Sequence, residues 1–296
     1  MMRRMSRTKE ELLNMVDRMP AFPASVHRII KLTSDVNCQA RDLVRVIDTD
    51  PVLTMRILRV ANSAYFGLQM NIVSVQHAVV YIGLNSVKHL ALATAAIGSL
   101  PKISTDGFNA DDFLRHSLTV GVLTRRFRKR MGIGGQKEGD EFVAGLLHDI
   151  GKVLFAHFEP EALNAAARQG KTDGIPVYLA ERRLLGVDHA EMGSMLAEHW
   201  GFPDNLCQAI REHHEPIESD DAPPLRDCVY LANYLAERRA AQAEAAELAG
   251  PDAPAPLIDW PPPVAFTLRH FNLGFEELIA QFHGLEEELE RVQALG

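Results

Sequence analysis

The sequence predicts an all-α chain built as two packed helical subdomains. Three observations carry this reading. Apolar residues recur mostly at intervals of three and four, alternating strand-like runs are scarce, and prolines punctuate the periodic segments where helices would start or stop. Taken in order, Leu43 and Ile47 form one apolar stripe, Leu53, Ile57 and Val60 a second, and Phe142, Leu146, Ile150 and Val153 a third. Pro20, Pro23, Pro51, Pro101, Pro176 and Pro203 mark the breaks, which gives roughly a dozen helices with short connections. The stretch from Leu100 to Asp111 holds Pro, Ser, Thr, Gly and Asn and reads as the boundary between the halves. Gly250 to Pro263, rich in Pro and Ala, reads as a loop before a last helix near Phe275 to Ala294. The expected organisation is an N-terminal extension over 1–18, a first helical subdomain over 19–108, a second bundle over 109–240, and the loop and C-terminal helix over 241–296.

Composition bounds the function. With 296 residues the chain can bury a large core, and 47% hydrophobic with 24% charged residues is ordinary globular usage. The formal charge of -8 argues against broad binding of nucleic acid or of an anionic membrane, since both need a basic face. The run Arg125, Arg126, Arg128, Lys129 and Arg130 reads as a solvated helix end in preference to a local anion patch. Cys38, Cys207 and Cys228 lie far apart without paired spacing, as expected of reduced thiols in a cytoplasmic protein. The basic start, Met1 to Arg7, is followed by polar residues and not by the apolar core of a signal peptide. The longest apolar stretch, Leu90 to Leu100, is too short to span a bilayer, so the expectation is a soluble protein away from membranes.

The sharpest chemical signal is Gly145-Leu146-Leu147-His148-Asp149-Ile150-Gly151-Lys152, near the end of a predicted helix. A neighbouring His and Asp can converge on one ion lying between their two directions, and neutral imidazole with carboxylate suits Fe, Mn, Zn or Ni. Lys152 lies one turn after His148, where its ammonium could meet a phosphate oxygen. His116 sits on an earlier helix, His189 opens a later one, and His213-His214 close another. Each alone reads as a surface or satisfied core histidine. Together they are enough for one site of one ion, or a crowded site of two. The expectation is that His148, Asp149, His116 and His213 approach one point, with His189 and His214 close by.

Other residues carry blander readings. Asn62 and Ser63 can hydrogen-bond backbone at a helix end, with Tyr65 and Phe66 packed on the core as an inter-helix corner. Met55, Met70, Met192 and Met195 read as packing. His157 and His199 read as peripheral to the site, and His27, His77, His89, His270 and His283 as structural.

The order His116, His148-Asp149 with Lys152, His189, then His213-His214-Glu215 is similar to the HD phosphohydrolase superfamily, especially its HD-GYP branch. The resemblance implies metal-ligand roles for His116, His148, Asp149, His189, His213 and His214, an HD-like helix bundle for the second subdomain, and phosphate contact by Lys152. Two departures stand out. Asn233, within Val229-Tyr230-Leu231-Ala232-Asn233-Tyr234-Leu235, takes the place of a closing Asp, so that a neutral amide oxygen is offered as ligand without charge. Pro216-Ile217-Glu218 follows His213-His214-Glu215 where Gly-Tyr-Pro would stand, which speaks against cyclic dinucleotide hydrolysis. The first half resembles HDOD domains more closely, through Met19-Pro20-Ala21-Phe22-Pro23, Asp50-Pro51-Val52-Leu53, Leu58 to Phe66, and Ala78 with Ile82-Gly83; so does Trp200-Gly201-Phe202-Pro203 in the second half. HDOD domains are signalling modules related to HD hydrolases, many without the catalytic residues.

The resemblance therefore implies a bacterial regulatory module with a retained metal site, engaging a signalling protein or a small ligand such as a nucleotide. The competing expectation is a metal-dependent phosphohydrolase acting on a nucleotide or cyclic dinucleotide. Binding of a nucleotide or metal without turnover is a third.

Overall fold

The computed structural model describes residues 9–19, 25, 28–29, 32, 39–62, 70–84, 86–88, 90–91, 94, 105, 107–130, 140–215, 224–249 and 277. Among them the ordered elements are twelve helices, with one isolated bridge between Thr105 and Phe108. They are α1 (Lys9–Asp17), α2 (Ala40–Asp48), α3 (Pro51–Asn62), α4 (Val75–Ile82), α5 (Ala110–Arg130), α6 (Asp140–Leu147), α7 (Ile150–Phe158), α8 (Pro160–Asp173), α9 (Val177–Leu185), α10 (His189–His199), α11 (Asp204–Arg211) and α12 (Pro224–Ala249). The class is all-α. The expected loop and last helix of 250–296 fall outside the described residues except for Glu277, as do Cys38, Ser63 to Phe66, and Pro20, Pro23 and Pro101.

Local chemistry explains several boundaries. Pro51 and Pro160 open α3 and α8, where a missing N–H costs nothing. The Ser74 hydroxyl accepts the His77 N–H at the start of α4, and the Asp188 carboxylate accepts that of Glu191 at the start of α10. Asn109 caps α5 by accepting the N–H groups of Asp111 and Asp112 at 2.9 and 3.1 Å. The Asn62 amide closes the end of α3: Nδ2 donates to the carbonyls of Leu58 and Ile72, and Oδ1 accepts the Ile72 N–H.

The α2, α3 and α4 helices pack on one another, burying Leu43, Ile47, Leu53, Ile57, Val75 and Ala78. The second body is the larger. In it α5 packs on α6 and α12, α7 on α8 and α10, and α11 on α6, α10 and α12. Phe127, Phe142, Leu147, Leu154 and Val229 fill its core, each contributing about 1.5–3 kcal/mol by burial. The N-terminal helix belongs with this second body. Leu12, Met15 and Val16 are buried as α1 lies on α10 and α7, the Asp17 carboxylate pairs with His199 at 3.5 Å, and Arg18 covers the Phe158 ring.

Two expectations need correction. Met192 is buried and Met195 packs against the core, but Met55 and Met70 are exposed. Met55 points outward because the opposite face of α3, with Leu53 and Ile57, takes the core. The third stripe, Phe142 to Val153, is not one helix. It divides at His148 and Asp149 into α6 and α7, with Asp149 at φ -96° and ψ 9°. No helix among the described residues is long and apolar enough to cross a membrane.

Candidate metal centre

The division at His148-Asp149 positions the site. An unbroken helix would send adjacent side chains about 100° apart. The turn instead lets both residues face the space enclosed by α5, α7, α10 and α12. Two glycines make the crossing tight. A Cβ on Gly145 would lie 2.7 Å from the Gly121 backbone of α5, and one on Gly151 would lie 2.0 Å from the His189 carbonyl oxygen. The glycines that frame the His-Asp motif are thus the points where α6 meets α5 and α7 meets α10.

Asp149 is the hub. Its side chain is 2% exposed, and its two oxygens face different partners. Oδ1 lies 3.0 Å from His189 Nε2 and 3.5 Å from His213 Nε2, while Oδ2 lies 3.4 Å from His148 Nε2, 3.5 Å from His116 Nε2 and 2.6 Å from Lys152 Nζ. His116 Nε2 and His148 Nε2 face each other at 3.2 Å, as do His214 Nε2 and His189 Nε2 at 2.8 Å. Two donor groups result, His116-His148-Asp149 and Asp149-His189-His213-His214, with the ligand atoms of each group within 4.8 Å of one another. Asp149 belongs to both.

The outer nitrogens fix the tautomers. His148 Nδ1–H donates to the Gly145 carbonyl at 2.6 Å, and His213 Nδ1–H to that of Ile210 at 2.7 Å. A carbonyl only accepts, so each Nε2 keeps its lone pair for the centre of the site. His189 Nδ1–H and its backbone N–H both donate to one oxygen of Glu181, at 2.6 and 2.9 Å. Glu181 is fully buried, and a carboxylate behind a histidine raises that histidine's strength as a ligand. His214 stacks on Tyr178, with centroids 4.3 Å apart. Arg182 joins the flanking turns by pairing with Asp188 and Glu215, each at 2.6 Å. The buried Arg226 holds Glu212, next to His213, at 3.1 Å.

Electrostatics leaves the ligands ready. Burial pushes His116 down to about 3 and His213 to about 4, and holds His214 well below its usual value, so all three are neutral near pH 7. Burial also opposes charge on Asp149, but His148, Lys152 and His189 outweigh it and keep the carboxyl well below its ordinary range. For Lys152, burial is outweighed by Asp149 and Glu237, which raise it. For His189, burial is outweighed by Glu181, which lifts it to about 9.

Do these residues fit an ion? His213 Nε2 and Asn233 Oδ1 are buried without a hydrogen-bond partner, a cost of about 1–3 kcal/mol each unless something fills the gap. Facing lone pairs on imidazoles around a carboxylate are what a divalent transition metal satisfies. The donor set fits one, and the sharing of Asp149 leaves a place for a second.

All of the sequence-selected site residues lie together. Lys152 reaches Asp149 from one turn into α7, and Asn233 stands on α12 beside His116. His157 and His199 lie outside on exposed faces, and His77 meets Tyr81 edge-to-face. Sequence reasoning missed Glu181, Tyr178 and Arg182 on α9, which no spacing rule ties to His189. It also missed Glu237, one helical turn past Asn233, which that interval could have flagged.

Comparison with known proteins agrees with this picture. The family model of the HDOD domain matches residues 19–216. An uncharacterized protein of Treponema pallidum (strain Nichols) is 28% identical over 219 residues, 74% of this chain and 42% of its own, so the match spans under half of that relative. Among solved structures, a candidate phosphohydrolase of Shewanella amazonensis SB2B is 25% identical with a TM-score of 0.72, over 96% of this chain and 98% of that one. An HDOD domain protein of unknown function from Geobacter sulfurreducens shares the fold at 23% identity and a TM-score of 0.71, covering 97% and 96%. A candidate signal transduction protein of Marinobacter aquaeolei VT8 does so at 23% and 0.68, covering 98% of this chain and 61% of its own.

Proposed function

The chain belongs to the HDOD domain family, and on that premise we propose that it is a regulatory signal-transduction module that holds a divalent transition metal around Asp149 and engages a protein partner or a phosphate-bearing small ligand. One observation carries the reading. His116, His148, His189 and His213 place Nε2 within 3.5 Å of the two oxygens of a single buried carboxylate, and His214 Nε2 faces that of His189 at 2.8 Å. A bound divalent ion supplies Lewis acidity and positive charge at that point. Lys152 Nζ, partly open to solvent, adds a second positive group suited to a phosphate oxygen.

A second reading, metal-dependent phosphodiester hydrolysis, is favoured by Lys152 lying beside two donor groups that share Asp149. The regulatory reading is favoured by charge. Asp149 is the one carboxylate in either donor group, Lys152 already pairs with it, and Asn233 brings none. A site with so few anionic ligands holds an ion less tightly and orients an attacking water less well. The experiment is chelator-free purification, loading with Mn or Fe, and assay against a chromogenic phosphodiester and a cyclic dinucleotide. Retained metal with negligible turnover supports regulation. Turnover at roughly one per second or more, typical of enzymes, transfers the protein to the hydrolases.

A further inference from the structure

We infer that Glu237 closes this metal centre at its solvent side, by holding the Asn233 amide with its oxygen inward and by supplying the negative charge that Asn233 does not. The inference rests on the metal reading above. Asn233 and Glu237 stand one turn apart on α12 and so share a face. Asn233 Nδ2 donates to Glu237 Oε1 at 3.4 Å, while Asn233 Oδ1 is buried with no partner, beside His116.

A primary amide is nearly symmetric in shape, so its partners decide which end points inward. Turned the other way, the amide would aim its N–H groups at His116. An N–H there would then occupy the His116 lone pair an ion needs. Glu237 takes up the N–H end from outside and leaves an oxygen acceptor inside.

Charge points the same way. Asp149 is paired with Lys152 at 2.6 Å, and Glu181 is committed to His189 on the far side of the ring. Glu237 reaches solvent at the rim of the site; burial of its carboxyl and the nearby Asp149 raise it above the usual carboxylate range, while Lys152 and His148 lie within electrostatic reach and favour its charged form. Glu237 is a positioning residue and not a ligand in this geometry.

The test uses the full chain and reads Mn(II) dissociation constants by the resonance signal of free Mn(II), with thermal unfolding of the metal-free forms alongside. Glu237→Ala is expected to weaken Mn(II) binding about tenfold or more, with the metal-free unfolding temperature nearly unchanged because the residue is exposed. Glu237→Gln should lose less, since its amide oxygen can still accept from Asn233 Nδ2. The double variant Asn233→Asp with Glu237→Ala should regain most of the affinity, because a carboxylate fixed inside replaces both roles. A Glu237→Ala protein that binds within about twofold of the parent, or a double variant that stays as weak as Glu237→Ala, overturns the inference and leaves the metal reading intact. A parent chain that binds no Mn(II) overturns both.

Discussion

Replacing Gly151 by alanine would place a methyl carbon 2.0 Å from the carbonyl oxygen of His189 and 2.8 Å from the backbone nitrogen of Gly193. Ordinary contact begins near 3.4 Å, so α7 and α10 must part by about an ångström or more. The obstacle is backbone on both counts, and no flexible side chain can yield. Overpacking of this kind costs about 1–3 kcal/mol, and rigid backbone argues for the upper end. At about 2–4 °C per kcal/mol for a body of this size, the melting temperature should fall by roughly 5–12 °C. The same movement acts on the site, because α7 follows Asp149 and α10 begins at His189, whose facing atoms are 3.0 Å apart. Metal affinity should therefore fall with stability. Gly174→Ala serves as the control. Its Cβ meets nothing within 4 Å, but its φ of +64° is strained for alanine, so it should cost about 1 kcal/mol and leave the metal untouched. Thermal unfolding and Mn(II) titration of both variants decide the matter. A Gly151→Ala protein with the parent's melting temperature and affinity would refute the close crossing as the device that sets the site.

Three further outcomes follow from the site and its surroundings. Glu181→Gln should weaken metal binding about 10–100-fold, because the amide cannot hold the His189 Nδ1–H as a carboxylate does; unchanged affinity in a competition titration would count against it. In the metal-free protein His189 is held at about 9 against an ordinary 6.5, so its contribution to stability is complete below pH 6.5 and lost as pH rises through 9. An incoming ion must displace that proton, and calorimetry at pH 7.5 in buffers of different ionisation enthalpy should register release of about one proton, whereas a buffer-independent enthalpy would contradict it. Asn62→Ala strips both the N–H and the carbonyl of buried Ile72 of their partner and should cost about 1–3 kcal/mol in denaturant unfolding, with metal binding unaffected.

Much of this was legible in the residues. Apolar spacing marks the helices because a helix buries one face at a period of 3.6, and the stripes of Leu43-Ile47 and Leu53-Ile57 are buried as that rule requires. The histidines read as one set because His148-Asp149 anchors a motif around which His116, His189, His213 and His214 fall on separate helical segments. What stayed hidden depends on tertiary contact. The break at His148 and Asp149 leaves the apolar period intact on both sides, so periodicity cannot show it. Gly151 reveals its purpose only when the His189 carbonyl is seen against it. Glu181 reads as one more charged residue on α9 until α10 brings His189 onto it. Docking of α1 on the second body joins Asp17 to His199, positions far apart in the chain whose pairing no local pattern encodes.

Elemental analysis of the full chain, purified without chelator and again after loading with Mn or Fe, decides whether the residues around Asp149 hold a divalent transition metal. About one or two ions per chain are expected, lost from an Asp149→Ala variant that remains folded by circular dichroism. A parent protein that retains no transition metal even when loaded in excess, or an Asp149→Ala variant that retains as much as the parent, would contradict it.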